Sequence, residues 1–257
     1  MAASQLPGLT SPGGGWCCCV RPVPTRFPTR KLPVVPSLTV ENYVKAIYQI
    51  STTQEDQPVS TGQLAAALGV SPGTVTSMLK TLDAAQLATH TPYEGVALSA
   101  TGRVLALRVI RRHRLIEQFL VETLAMTWDE VHEEAEHMEH AVSDLLVDRI
   151  DAYLGRPEVD PHGDPIPRGD MSAVDEAADS GRLLSAVAVG ERFQVARVLD
   201  QSPPFLRYLA ETGLVLEAIG TVERMVDDAG LVEIRVGSRA ITLPRDAADN
   251  LIVTTVA

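Results

Sequence analysis

Long apolar runs are missing from this chain of 257 residues. No stretch is long enough to cross a bilayer as a helix, so no membrane partner is expected. Cysteine is confined to the run Cys17, Cys18 and Cys19, and everything after it is cysteine-free. Three adjacent cysteines form neither a spaced disulfide framework nor a CxxC zinc pair. A cysteine-free body suits a reducing cytoplasm. A nucleophile elbow, a P-loop and a dinucleotide fingerprint are also lacking. The segment His132-Glu133-Glu134-Ala135-Glu136 opens like a zincin helix, but Glu136 stands where the second histidine is required. No catalytic residues and no enzyme are expected. Basic charge is scarce: 22 Lys and Arg stand against 33 Asp and Glu, for a net charge of −11. Nucleic-acid binders usually present a basic surface instead.

What is present is enough for a packed soluble protein, with 45% hydrophobic and 21% charged residues. The length allows one large domain or two to three small ones. Charge is unevenly spread. Arg103, Arg108, Arg111, Arg112 and Arg114 fall together. From Glu117 to Asp151 there are then eleven carboxylates against the single base Arg149. Such a segment is a solvated face or a cation site.

Residues 1–36 are rich in Pro, Gly, Ser and Thr without helical periodicity, and read as a disordered tail. They lack the continuous apolar stretch of a secretory signal; a misassigned start codon would give the same appearance. Residues 37–100 read as a winged helix-turn-helix head. Thr39 is a plausible N-cap for a helix carrying Val40, Tyr43, Val44, Ile47 and Tyr48. A short helix over 60–68 stops at Gly69. A third starts with Ser71 as N-cap and Pro72 in the first turn. Strands over 87–91 and 95–98 flank the turn Pro92-Tyr93-Glu94-Gly95 and form the wing. Residues 101–155 read as a helical domain. Its helices run over 101–124, over 128–141 behind the capping box Thr127–Glu130, and from Ser143 to Gly155. The Pro-, Gly- and Asp-rich stretch 156–182 reads as a linker. Residues 183–257 carry short β-like runs, Phe193–Leu199, Gly220–Val226, Leu231–Val236 and Ala240–Leu243, which suggest a small SH3-like barrel. The fold class is therefore mainly α with a small β domain.

A helix-turn-helix reads base edges with the start of its second helix. Here that end exposes small residues, Ser71, Gly73, Thr74, Thr76 and Ser77, suited to close backbone approach and to thymine methyls. Lys80, and Tyr93 on the wing, would reach phosphates. The partner expected is double-stranded operator DNA. A generic three-helix fold that binds protein fits the same pattern.

His113 and Glu117 are four apart and share a helix face. His132, Glu136, Glu139 and His140 form a second single-faced set. Burying so many ionisable groups is costly unless they are paired. A divalent cation is the natural partner, and His plus carboxylate without thiolate suits Mn, Fe, Co or Zn rather than Cu(I). A solvated acidic helix with scattered histidines is the plainer alternative. His137 and Glu133 lie off the stripe and are expected to be exposed.

These residues resemble the DtxR/MntR family of iron- and manganese-dependent regulators. The likeness is carried by Glu41–Tyr48, Ser71–Lys80, Arg112–Glu117, Val131–His140 and Gly163-Asp164-Pro165-Ile166-Pro167. The resemblance implies a homodimer that represses metal-uptake genes when Mn(II) or Fe(II) binds, with a C-terminal SH3-like, FeoA-type domain. It implies that residues 101–155 are the metal-binding and dimerisation domain, with two sites per subunit. His113, Glu117 and His132 match an ancillary site. Glu136, Glu139 and His140 match a primary one, with Asn42 as the ligand from the first helix. Iron regulators carry Cys where this chain has Glu136, so Mn(II) is favoured and Fe(II) is the alternative cofactor. Asn42 departs from the Met or Asp of the family. Ala196 stands where the SH3-like domain would offer a Glu, with Asp200 and Gln201 as substitutes. The rival readings are a winged-helix regulator sensing another ligand, and a metalloenzyme.

Overall fold

A computed structural model describes residues 37–54, 56–169 and 181–256 of the chain. The expected tail, 1–36, lies outside the described residues.

The head opens with α1 (Leu38–Thr53). Its N-cap is Ser37, whose Oγ accepts from the Val40 N–H, so the helix starts before the expected Thr39. Ser60 and Gln63 form a reciprocal capping box at the start of α2 (Thr61–Leu68), and Gly69 ends it in the left-handed region. Ser71 caps α3 (Pro72–Ala84) with Pro72 in the first turn. Strands β1 (Ala88–Thr91) and β2 (Gly95–Leu98) pair antiparallel as the wing. Val59 adds a two-bond bridge to Val96. Gly95 has φ +116°, and a Cβ there would lie 2.7 Å from the Val59 carbonyl oxygen, so the bridge requires glycine. Ile47, Leu64, Val75, Leu79 and Leu82 close one apolar core with Leu107 and Ile110. The last two belong to α4 (Ala100–Leu124), which therefore serves the head and the scaffold together.

The rest of the scaffold is α5 (Val131–Met138) and α6 (Asp144–Tyr153). The expected helix 128–141 loses a turn at each end. Glu130 does bond the Thr127 N–H, but α5 begins only at Val131. After Met138 the chain tightens, with Ala141 and Val142 both donating to the Met138 carbonyl. Ile116, Leu120, Val131 and Ala135 pack α4 on α5, while Leu115, Val147 and Ile150 pack α4 on α6.

The expected linker is in part built into the interior. Ile166 joins the α4–α6 core, and Asp160, His162 and Asp164 are buried. Asp160 organises this loop: its Oδ1 accepts from the N–H of His162 and of Asp164. Residues 170–180 lie outside the described residues.

The C-terminal part is one antiparallel sheet in the order β3-β8-β4-β5-β6-β7. Its strands are β3 (Arg182–Leu183), β4 (Arg192–Val198), β5 (Ile219–Val226), β6 (Leu231–Val236), β7 (Arg239–Pro244) and β8 (Leu251–Thr255). Helices α7 (Pro203–Thr212) and α8 (Arg245–Ala248) bury Leu206, Leu209 and Ala248 in its core with Phe193. The barrel expectation needs correcting, because the sheet is not closed. Among the described residues β7 pairs only with β6, and the far edge, β3, is two residues long and pairs only with β8. Bulges between Val195 and Arg197 and between Val222 and Arg224 supply curvature without closure. No helix among the described residues is long and apolar enough to cross a membrane.

Candidate metal centre

Where α1 meets α4 and α5, Glu41, Lys45, Arg112, His113, Glu117 and Glu139 are buried. Their acids and imidazoles, with Glu136, His132, His140, Asp160 and His162, form three adjoining clusters.

The first joins the head to the scaffold. Glu139 Oε2 lies 2.6 Å from His113 Nδ1, and Glu139 Oε1 lies 3.2 Å from His140 Nε2. The other His140 nitrogen, Nδ1, is 2.6 Å from Glu41 Oε2. Lys45 Nζ reaches Glu139 at 2.9 Å and Glu136 Oε1 at 3.1 Å. Glu41 and Lys45 are four apart and leave α1 on one face. Asn42, one residue along, is half-buried and makes no hydrogen bond to this cluster. Glu136 is the open member, with its side chain 53% exposed, while Glu139 is sealed.

In the second cluster, His113 Nε2, Glu117 Oε1 and His132 Nδ1 lie 2.9–3.2 Å from one another. Donor atoms about 3 Å apart are the edges of a coordination shell with bonds of about 2.0–2.2 Å. His113 thus serves both clusters, one ring nitrogen to each. Burial opposes charging of His113, but Glu117 and Glu139 outweigh it and lift its pKa to about 9, with Lys45 pulling the other way. Burial also works against ionisation of Glu139 and Glu136. His113 and Lys45 overcome it at Glu139, and chiefly Lys45 does so at Glu136, so both carboxyls are held below the usual range.

The third cluster was not expected. Glu117 Oε2 faces His162 Nδ1 at 3.8 Å, and Asp160 Oδ1 lies 4.0 Å from the same nitrogen. All three residues are buried, and neither Glu117 Oε2 nor His162 Nδ1 has a hydrogen-bond partner among the described residues. His162 Nε2 is 2.8 Å from the Trp128 carbonyl, which only accepts, so Nε2 carries the proton. In neutral His162 the Nδ1 lone pair then points at two carboxylates. Burial, followed by the charges of Asp164 and Glu117, pushes the Asp160 carboxyl well above its usual range. A lone pair and two acids facing one another in a dry interior fit a bound cation. The signal in the sequence was Asp160-Pro161-His162, immediately before the Gly163–Pro167 motif.

The sheet domain approaches this third cluster without adding a ligand. Arg197 pairs with Asp164, and Gln201 Nε2 donates to Asp164 Oδ2 at 2.8 Å. Asp200 caps the Ser202 N–H instead. Gly163, at φ +87°, packs on β4 so closely that a Cβ would lie 2.1 Å from the Ala196 carbonyl oxygen.

On the head, Ser71, Gly73, Thr74, Thr76, Ser77 and Lys80 are all exposed along the start of α3. Ser71 Oγ accepts from the Thr74 N–H, and Thr76 Oγ1 donates to the Pro72 carbonyl. Tyr93, at φ +70°, is fully exposed at the wing tip. Glu133 and His137 are exposed as expected.

Three family models match in succession. Residues 37–96 match the iron dependent repressor N-terminal DNA binding domain. Residues 99–168 match the iron dependent repressor metal binding and dimerisation domain, and 182–255 the FeoA domain. The chain is 32% identical over 221 residues to the iron-dependent repressor IdeR of Mycobacterium leprae, covering 82% of this chain and 94% of that one. It is 31% identical over 116 residues to the HTH-type transcriptional regulator MntR of Geobacillus kaustophilus, covering 45% of this chain and 80% of that one. A solved manganese-dependent transcriptional repressor in complex with manganese superposes with a TM-score of 0.75 at 40% identity, covering 84% of this chain and all of that one. ScaR with bound Zn2+ superposes with a TM-score of 0.70 at 32% identity, covering 84% of this chain and 99% of that one. With a DNA-binding head, a metal-binding and dimerisation domain and a FeoA domain in one order, the chain belongs to the family of metal-dependent DNA-binding transcriptional repressors, which are not enzymes.

Proposed function

We propose that this protein is a cytoplasmic, Mn(II)-activated repressor of metal-uptake genes that binds double-stranded operator DNA as a homodimer, with Fe(II) as the second-ranked ion. The observation that carries the reading is the first cluster. Side chains of the head helix α1 and of the scaffold meet there on one set of carboxylates and imidazoles. Glu136, Glu139 and His140 would hold the ion together with His113, whose donor atom converges with those of Glu136 and Glu139, and with Glu41 rather than Asn42 as the contribution of α1. His113, Glu117 and His132 form a second position, and Glu117, Asp160 and His162 a third. A divalent ion supplies the charge that neutralises these acids. Hard oxygen ligands and the carboxylate of Glu136 suit Mn(II).

The chain's own geometry does the coupling. Glu41 sits on α1, which packs on α2 and α4 and shares the head's apolar core with α3, so its position relative to Glu139 and His140 sets where the recognition helix lies. In a dimer two such helices must stand about 34–36 Å apart to read successive major-groove faces. Ser71, Gly73, Thr74, Thr76 and Ser77 then meet base edges, while Lys80 and Tyr93 meet phosphates. For the dimer contact we assign the apolar groove of Ile116, Phe119, Met138, Val142 and Leu146, continued by the exposed Leu145 and Tyr153.

The test is a gel shift on the DNA upstream of the protein's own gene, in chelator and with each divalent metal. Retardation should appear with Mn(II) at the lowest free concentration, then with Fe(II), and be absent in chelator. Equal retardation in strong chelator would sink the reading.

A further inference from the structure

The chain has three lysines, and one of them lies in the metal centre. Lys45 Nζ stands 2.9 and 3.0 Å from the two oxygens of Glu139, 3.1 Å from Glu136 Oε1 and 3.3 Å from His113 Nδ1. His113, Glu136 and Glu139 are also a triad whose donor atoms converge closely enough to share one ion. The ammonium therefore occupies the middle of a candidate metal position. It is a compact point charge on a flexible four-carbon stem, with three donors for the acids around it. Its side chain is 9% exposed, so water does not replace those contacts. An ammonium donates and never accepts, so it cannot be a ligand. An ion about 2 Å from the same three donors leaves no room for it.

We propose that Lys45 is a tethered cation: in the metal-free protein it fills the head-facing metal position, holds α1 against the scaffold, and is expelled when an ion takes that position. This rests on the metal reading of the first cluster. It adds a competitor built into the chain, which sets the free metal concentration at which the site fills. It also implies that the head is docked before metal arrives, so the ion exchanges one tether for another.

Mn(II) titration followed by the electron paramagnetic resonance of free Mn(II) tests this on the full chain, comparing wild type, Lys45→Met, Glu139→Ala and the double variant. Removing the ammonium leaves buried acids without their counter-charge in the metal-free state only. Lys45→Met should bind Mn(II) at least about tenfold more tightly, and should melt at a lower temperature than wild type in chelator. Glu139→Ala should remove the gain. Unchanged or weaker binding by Lys45→Met, or a gain that persists without Glu139, overturns the proposal. Wild type lacking any class of Mn(II) sites sensitive to Glu139 would instead overturn the metal reading beneath it. A second measurement needs no variant. Amine labelling read by mass spectrometry should modify Lys45 faster with Mn(II) than in chelator, with the exposed Lys80 as internal reference. Labelling at an equal or lower rate with Mn(II) contradicts expulsion.

Discussion

His113 and Glu117 each have two working ends. His113 turns Nδ1 to Glu139 and Nε2 to Glu117 and His132. Glu117 turns Oε1 to His132 and Oε2 to His162. A separation into a primary and an ancillary site therefore understates the sharing. Glu139→Ala and His140→Ala should each abolish metal-dependent DNA binding while leaving a folded dimer. His113→Ala should be as severe, because it removes a donor from two positions at once. Pairing it with Glu139→Ala should give a combined loss well short of additive, as for residues in one network. Calorimetric Mn(II) titration of the three variants checks this, and a mild, independent effect of His113→Ala would restore the two-site picture. Replacing Glu136 by Cys should move preference toward Fe(II) and softer ions, read as the order of metals in the DNA-binding assay.

At this scale the sequence was legible where spacing is local. His113 with Glu117, and His132 with Glu136, Glu139 and His140, follow from helical periodicity alone. Asp160 and His162 do not, because their partner Glu117 sits on a helix far earlier in the chain and nothing local marks the pairing. The choice of Glu41 and Lys45 over Asn42 depends on the angle at which α1 docks on α4 and α5, a tertiary quantity that periodicity leaves open.

Among the elements, caps and turn residues announced the head: Ser71-Pro72 before α3, Gly69 after α2 and the Pro92–Gly95 turn. The sheet was less legible. Four strands were expected near their observed places, but β3, β8 and the Pro203-Pro204 start of α7 were not. The open edges depend on strand pairing, which is non-local. The loop holding Asp160 and His162 reads as a linker by composition, yet Gly163 wedges it against β4 and the Val198 N–H donates to the His162 carbonyl. Gly163→Ala should cost about 3 kcal/mol through strain and clash and should weaken the third metal position in particular. Urea unfolding and the Mn(II) stoichiometry check both halves; wild-type values for each would contradict this account of the loop. On α6, Leu146→Asp should weaken dimerisation on the order of 100-fold, read by analytical ultracentrifugation, with the monomer still folded. A dimer as tight as wild type would place the contact elsewhere.

For the whole molecule, the net charge of −11 and the single exposed lysine on the recognition helix disfavour non-specific DNA binding. Affinity must then come from placing two small-residue helix ends correctly, which is a matter of head position. In the proposed function, head position is set at the buried cluster through Glu41 and Lys45, and metal would act on the same groups. Thermodynamic linkage makes such coupling reciprocal. The most direct measurement is therefore the Mn(II) dissociation constant of the full-length protein with and without saturating DNA from its own upstream region. The account predicts that this DNA tightens Mn(II) binding by the same factor by which Mn(II) tightens DNA binding. A Mn(II) affinity that ignores the DNA would contradict it.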